Sequence, residues 1–204
     1  MSLEFLIAAF VVVLAPGTGV VYTVAVGLGK GRRASLAAAF GCTLGILPAI
    51  LASLIGLSAL MHTSALIFQA VKFAGVAYLL YLAWQTLKDS GPMDLKAETG
   101  GRTGVFGIAV TGMLINVLNP KLTVFFLAFL PQFVTPGTGH EIGQMLAMSA
   151  VFMAMTFVVF VVYGQFADAV GERVLKSDRM LTWMRRSIAA TFAAFGARLA
   201  FAER

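Results

Sequence analysis

The chain has 204 residues, 59% of them hydrophobic and 12% charged, with a mean hydropathy of +0.90, a balance that belongs to a membrane protein rather than a soluble domain. A spanning helix takes about 20 apolar residues, so the length allows roughly six spans with short connections and leaves no room for a soluble catalytic domain; an enzyme is not expected. The net charge of +6 does not point to nucleic acid, because the cations are spread over short loops that flank apolar runs instead of forming a patch interleaved with aromatics.

The first apolar run covers 5–28. It has no Lys or Arg ahead of its apolar core and carries Glu4 instead, so it lacks the basic region of a signal peptide and reads as a retained first span. Its middle is LAPGTGVVYT, where Pro16 removes a helix donor and Gly17 and Gly19 weaken the turn. The connection that follows holds Lys30, Arg32 and Arg33. Runs at 34–60 and 65–87 supply spans two and three, joined around 61–64 without a cation. KDSGPMDLKAETGGRTG, residues 88–104, is rich in Gly and charge and reads as a linker. Span four, 105–129, is interrupted by LINVLNPK, with Asn116, Asn119, Pro120 and Lys121. A cation-free connection at 135–141 leads to span five, 142–166. The last run, 187–201, is short for a span, so five spans with a re-entrant or interfacial tail is the alternative.

Lys and Arg alternate sharply between connections. The first holds three, the third holds Lys88, Lys96 and Arg102, and the fifth holds Arg173, Lys176, Arg179, Arg185 and Arg186, which together are 11 of the chain's 15. The second and fourth hold none. Since cytoplasmic loops are enriched in cations, this predicts six spans with both termini outside.

The linker divides the chain into a first repeat, 1–88, and a second, 104–204, with 89–103 between them as a cytoplasmic linker. Pro16 and Pro120 fall at similar places in spans one and four, Gly56 and Gly164 in spans two and five. KFAGVAYLLYLAW from Lys72 resembles RSIAATFAAFGAR from Arg186. Because three spans is an odd number, the second unit enters the membrane upside down relative to the first. The expected fold is therefore all-α, a polytopic membrane protein of six helices in two inverted three-helix repeats within one transporter domain. Substrate sites in such folds lie near the midplane, where broken helices of the two halves meet.

Chemistry concentrates at the two breaks. Freed backbone groups there cannot be satisfied by lipid and must face protein, water or a ligand. An ordinary proline kink explains one break; two at equivalent places, each with polar or Gly neighbours, point to a binding site. Lys121 adds an intramembrane cation that costs roughly 3 kcal/mol or more at a helix centre. No acid stands at the centre of a span, so the site suits an anionic group better than a metal cation or polyamine. The substrate-binding candidates are Pro16, Gly17, Thr18, Gly19, Asn116, Asn119, Pro120 and Lys121, with Lys72, Thr43, Tyr78 and Gln132 as secondary candidates; Thr156 and Tyr163 are further polar groups in span five. No catalytic residue is expected. No pair among Cys42, His62 and His140 has metal-ligand spacing, so they read as loop and packing residues, and one cysteine excludes a dithiol relay. No metal or other cofactor is expected. No phosphate-binding GxxxxGK[ST] motif is present, so transport would run on a gradient.

PGTGVVYTVAVGLGKGRRASLAAAFGCTLG, KFAGVAYLLYLAWQTLK and GMLINVLNPKLTVFFLAFLPQFV, in that order, resemble the LysE/RhtB family of bacterial amino-acid exporters over nearly the whole chain. The resemblance implies a multi-pass protein of the bacterial inner membrane that exports small amino acids or relatives such as homoserine and its lactone, as a proton-linked secondary transporter. It carries the site onto Pro16 to Gly19 and onto Asn116, Asn119, Pro120 and Lys121. Members of that family usually read Pro-Gly-Pro followed by Asn or Asp; Thr18 and Gly19 depart from this, and the bare Gly19 lacks the side chain that could partner a substrate ammonium or a proton. The expected partners are an amino-acid substrate and membrane lipid, with a homo-oligomer left open. The alternative function is a metal-ion or redox-linked membrane transporter of related architecture.

Overall fold

The computed structural model describes residues 2–15, 17–61, 73, 76–77, 80–81, 83–84, 86–88, 104–119, 122–123, 125–135, 137–167 and 177–201, and among these the chain is helical with no strand. The first predicted span is two helices, α1 (Leu3–Leu14) and α2 (Thr18–Lys30), bent by 50°. Ser2 starts α1 by accepting the Phe5 N–H at 3.2 Å. Gly31 ends α2 in the left-handed region, φ 82°, which costs a glycine little, and α3 (Arg32–Leu44) starts at the next residue. The basic connection is therefore a single-residue turn.

Helices α3 and α4 (Leu47–Met61) form the second span. Pro48 has no N–H to offer Leu44, so the ladder lapses there, and the Ile46 N–H reaches back to the Thr43 carbonyl at 3.1 Å. The third predicted span lies largely outside the described residues; its described positions from 73 to 88 are helical.

The fourth predicted span is broken where its asparagines predict. Helix α5 (Val105–Val117) stops at Leu118, and the Asn119 N–H folds back onto the Asn116 carbonyl at 3.2 Å. Beyond the break come a π-helical turn, Phe125–Phe129, and a 3-10 turn, Leu130–Phe133. A π turn holds an extra residue and disturbs the regular pairing of carbonyls; on α4 the Ser53 hydroxyl donates to one of them, Phe126 O.

Helix α6 (Glu141–Gln165) is 25 residues long. The loop before it turns at Gly137 and Gly139, both at positive φ, and the Glu141 carboxylate accepts the N–H groups of Thr138 and Gly139 at 3.0 and 3.3 Å. Helix α7 (Asp178–Phe201) has 24 residues, so it begins well before the predicted 187. Arg179, Arg185 and Arg186 ride on this helix and are not in a loop. Arg, Met, Leu and Trp sustain a helix without being uniformly apolar, so its start cannot be read from hydropathy.

Arg32–Gly56 and Glu141–Gln165 are long and apolar enough to cross a membrane, and the bent pair of α1 and α2 makes a third such segment among the described residues. Large apolar side chains such as Ile7, Leu51, Ile55, Phe106 and Trp183 are more than half exposed, as expected of a surface that faces lipid rather than water.

Inside, the packing forms two clusters. One gathers Phe5, Ile50, Phe126, Phe129, Met145 and Phe152, the other Val26, Ala38, Ile108, Phe160 and Leu181. Between α3 and α5 the backbones touch: a Cβ on Gly41 would strike the Ala109 carbonyl, and one on Gly112 would lie 2.9 Å from Ala38 O. Small residues permit this approach, the usual device of helices packed in lipid. Tyr22 of α2 adds a hydroxyl bond to the Ile108 carbonyl at 2.9 Å. The glycines matched in sequence have different surroundings. A Cβ on Gly164 would lie 2.6 Å from Ser35, whereas one on Gly56 would meet only Leu127 at 3.7 Å.

Candidate functional site

The two breaks meet at one cavity of about 40 Å³. Its walls are the end of α1 (Val12, Val13, Ala15), the start of α2 (Gly17, Gly19, Val20), the interrupted fourth segment (Asn116, Asn119, Leu122) and one face of α6 (Phe152, Thr156, Phe160). It lies at the seam of the two clusters, with Val13 and Phe152 from the first and Val20 and Phe160 from the second. Four predicted site residues, Gly17, Gly19, Asn116 and Asn119, are brought together here. Pro16, Lys72, Tyr78, Pro120 and Lys121 lie outside the described residues.

At the first break, α2 starts from Gly17 with no side chain capping it. The N–H groups of Thr18, Gly19 and Val20 therefore lack intrahelical acceptors and form the positive end of the helix dipole. The opposite loose end, the Leu14 carbonyl of α1, accepts the Tyr163 hydroxyl of α6 at 2.9 Å. Neighbouring protein thus satisfies one freed group. The Gly19 carbonyl accepts the Thr23 hydroxyl at 2.8 Å.

At the second break, Asn116 is 3% exposed, and its Nδ2 donates to the Cys42 carbonyl at 2.7 Å. That bond turns Oδ1 towards α2, where it lies 2.7 Å from the position a Cβ on Gly19 would take; the Phe160 ring lies 2.9 Å from the same point. Helix α5 ends here, so its last carbonyls bring the negative end of a dipole to the cavity. The lining thus brings a positive helix end on α2 beside a negative one on α5. Among the described residues it holds no ionisable side chain.

Three other predicted candidates are not brought to this cavity. Thr18 is exposed on the first turn of α2. Thr43 is buried, but its hydroxyl donates to Ala39 O within α3 at 2.8 Å. Gln132 sits half-buried in the 3-10 turn. Conversely, Phe152 and Phe160 were not marked by the sequence, although their spacing with Thr156, four residues apart each way, puts all three on one helix face. Among the described residues no three of His, Cys, Asp and Glu gather as metal ligands.

Two interrupted segments that face one buried site are the build of a membrane transporter. The chain matches the LysE type translocator family over residues 10–203 and belongs to it. It is 33% identical to an uncharacterized membrane protein of Vibrio cholerae serotype O1, over 98% of this chain and 97% of that one. It is 29% identical to a homoserine/homoserine lactone efflux protein of Salmonella typhimurium, over 98% and 95% of the two chains, and 27% identical to a leucine efflux protein of Enterobacter sp., over 96% and 93%. No solved structure matches.

Proposed function

We propose that the protein is a secondary exporter of a small zwitterionic amino acid or close derivative across the bacterial inner membrane. It would cross six times as two inverted halves and be driven by protons. The observation that carries this reading is that two helix ends of opposite polarity adjoin in the lining of one cavity, the start of α2 at Gly17 and Gly19 and the end of α5 at Asn116 and Asn119. An uncapped α2 start favours a carboxylate, and the end of α5 with Asn116 Oδ1 favours an ammonium. A zwitterion satisfies both. Relatives named for efflux of homoserine, its lactone and leucine fit that chemistry.

Lys121, two residues beyond Asn119 in sequence, supplies the fixed positive charge that an intramembrane position makes costly unless used, and it would strengthen the hold on the carboxylate. A cavity of about 40 Å³ has room for about three waters, and an amino acid carries more heavy atoms than that. Loading therefore requires the described walls to part. Rocking of one half against the other provides that motion. A metal-ion carrier is less well supported, because the described lining offers amide and backbone oxygen without carboxylate, imidazole or thiolate.

The test is export of a labelled amino-acid panel, including homoserine and leucine, from loaded vesicles holding the purified protein. Export of at least one member is expected, and Lys121→Ala should abolish it without reducing insertion. Normal export by a normally inserted Lys121→Ala protein would remove Lys121 from the site, and a panel with no exported member would overturn the reading.

A further inference from the structure

We propose that Phe160 sets the size of the substrate side chain that the site accepts; this rests on the reading of the protein as an amino-acid exporter. The cavity is too small for an amino acid as it stands, so one wall must yield, and the walls are not equally free to do so.

The wall formed by α2 and α5 is pinned by Asn116 Nδ2 to Cys42 O at 2.7 Å and Tyr22 to Ile108 O at 2.9 Å. It is also backed by the α3 crossing, where Gly41 meets the Ala109 carbonyl. The α1 wall is held by Tyr163 on Leu14 O. On α6, Phe152 is stacked on Phe125 with centroids 4.7 Å apart and set edge-on to Phe126 at 5.1 Å, so moving it disrupts two ring pairs. Thr156 is tied to Phe152 O at 2.9 Å.

Phe160 is different. It is 7% exposed, yet no ring is paired with it among the described residues, and its edge lies 2.9 Å from the position a Cβ on Gly19 would take. Rotation of this ring would widen the cavity at the cost of its apolar packing alone, with no hydrogen bond or aromatic pair to break among the described residues. The cationic and anionic ends of any α-amino acid are held by the opposite wall, so what varies between substrates, the side chain, is left facing α6.

The experiment measures kcat/KM for leucine and homoserine export in vesicles for wild type, Phe160→Ala and Phe160→Leu. Phe160→Ala should raise the leucine-to-homoserine ratio about tenfold or more, the scale on which apolar pockets discriminate by size. Phe160→Leu, which keeps the core filled, should shift it in the same direction by less. A ratio is the informative readout because a variant that only loosens the fold lowers both rates together. If the variants export both amino acids with the wild-type ratio, Phe160 does not select and the proposal falls while the exporter reading stands. If the wild-type protein exports no amino acid of any size, the exporter reading itself falls and takes this proposal with it.

Discussion

A methyl group on Gly19 has no room. Its Cβ would lie 2.7 Å from Asn116 Oδ1 and 2.9 Å from Phe160 Cε2, so Gly19→Ala displaces a carboxamide, a ring, or both. The carboxamide is the more mobile, but it is tied to Cys42 O at 2.7 Å, and moving it costs that bond. Overpacking of this kind costs about 1–3 kcal/mol. Gly19→Ala should therefore lower the melting temperature of the detergent-solubilised protein and impair export. In an Asn116→Ala background the same change should cost less, since one of its two obstacles is gone. Strictly additive costs in that double-mutant cycle would show that the two residues do not compete for the same space.

The same residues show what could be read from sequence at this scale. Gly17, Gly19, Asn116 and Asn119 stood out because polar or helix-weakening residues are rare in an apolar run, and all four line the cavity. Phe152 and Phe160 did not, because a Phe facing a binding site and a Phe facing lipid look alike in a membrane helix. Thr18 shares the motif with its neighbours, but side-chain direction changes within each turn. The start of α2 sends residues 17 and 19 to the cavity and leaves residue 18 exposed.

Among the elements, the crossing of α3 and α5 ties a segment before the linker to one after it. It relies on close backbones rather than on side chains. A Cβ on Gly41 meets backbone, the Ala109 carbonyl, which cannot rotate aside. Gly41→Ala should therefore push α5 off α3, pull Asn116 away from Cys42, and destabilise the protein by about 1–3 kcal/mol. Gly143→Ala is the matched control, because a Cβ there meets nothing within 4 Å, and replacing a helical glycine with alanine is neutral or favourable by up to about 1 kcal/mol. Thermal unfolding of the two variants in detergent checks the pair, and equal stability would contradict the packing argument. At this scale the breaks were legible because Pro and Asn mark them chemically. The π turn at Phe125–Phe129 was not, since an unbroken FFLAF run contains nothing polar to show that the ladder has slipped. The start of α7 is hidden for the opposite reason: its charged residues resemble a loop when only apolarity is counted.

Over the whole molecule, the described helices share two ends. At one, the Phe5 and Phe133 rings meet at 5.6 Å, so the start of α1 lies beside the 3-10 turn that leads into the cation-free loop before α6. At the other, Gln165 Nε2 donates to Arg32 O at 3.0 Å, and Leu181 of α7 packs in one cluster with Val26 and Ala34. The Gly31 turn, the end of α6 and the start of α7 are therefore neighbours, and Lys30, Arg32, Arg33 and Arg179 crowd the same end. A potential gradient and anionic lipid on the cytoplasmic side favour that end inside. A cysteine placed at Thr138 should then react with a membrane-impermeant maleimide in intact cells, whereas one placed at Arg33 should react only after permeabilisation. Cys42 gives no background, because it is completely buried. Labelling in the reverse order would invert the topology.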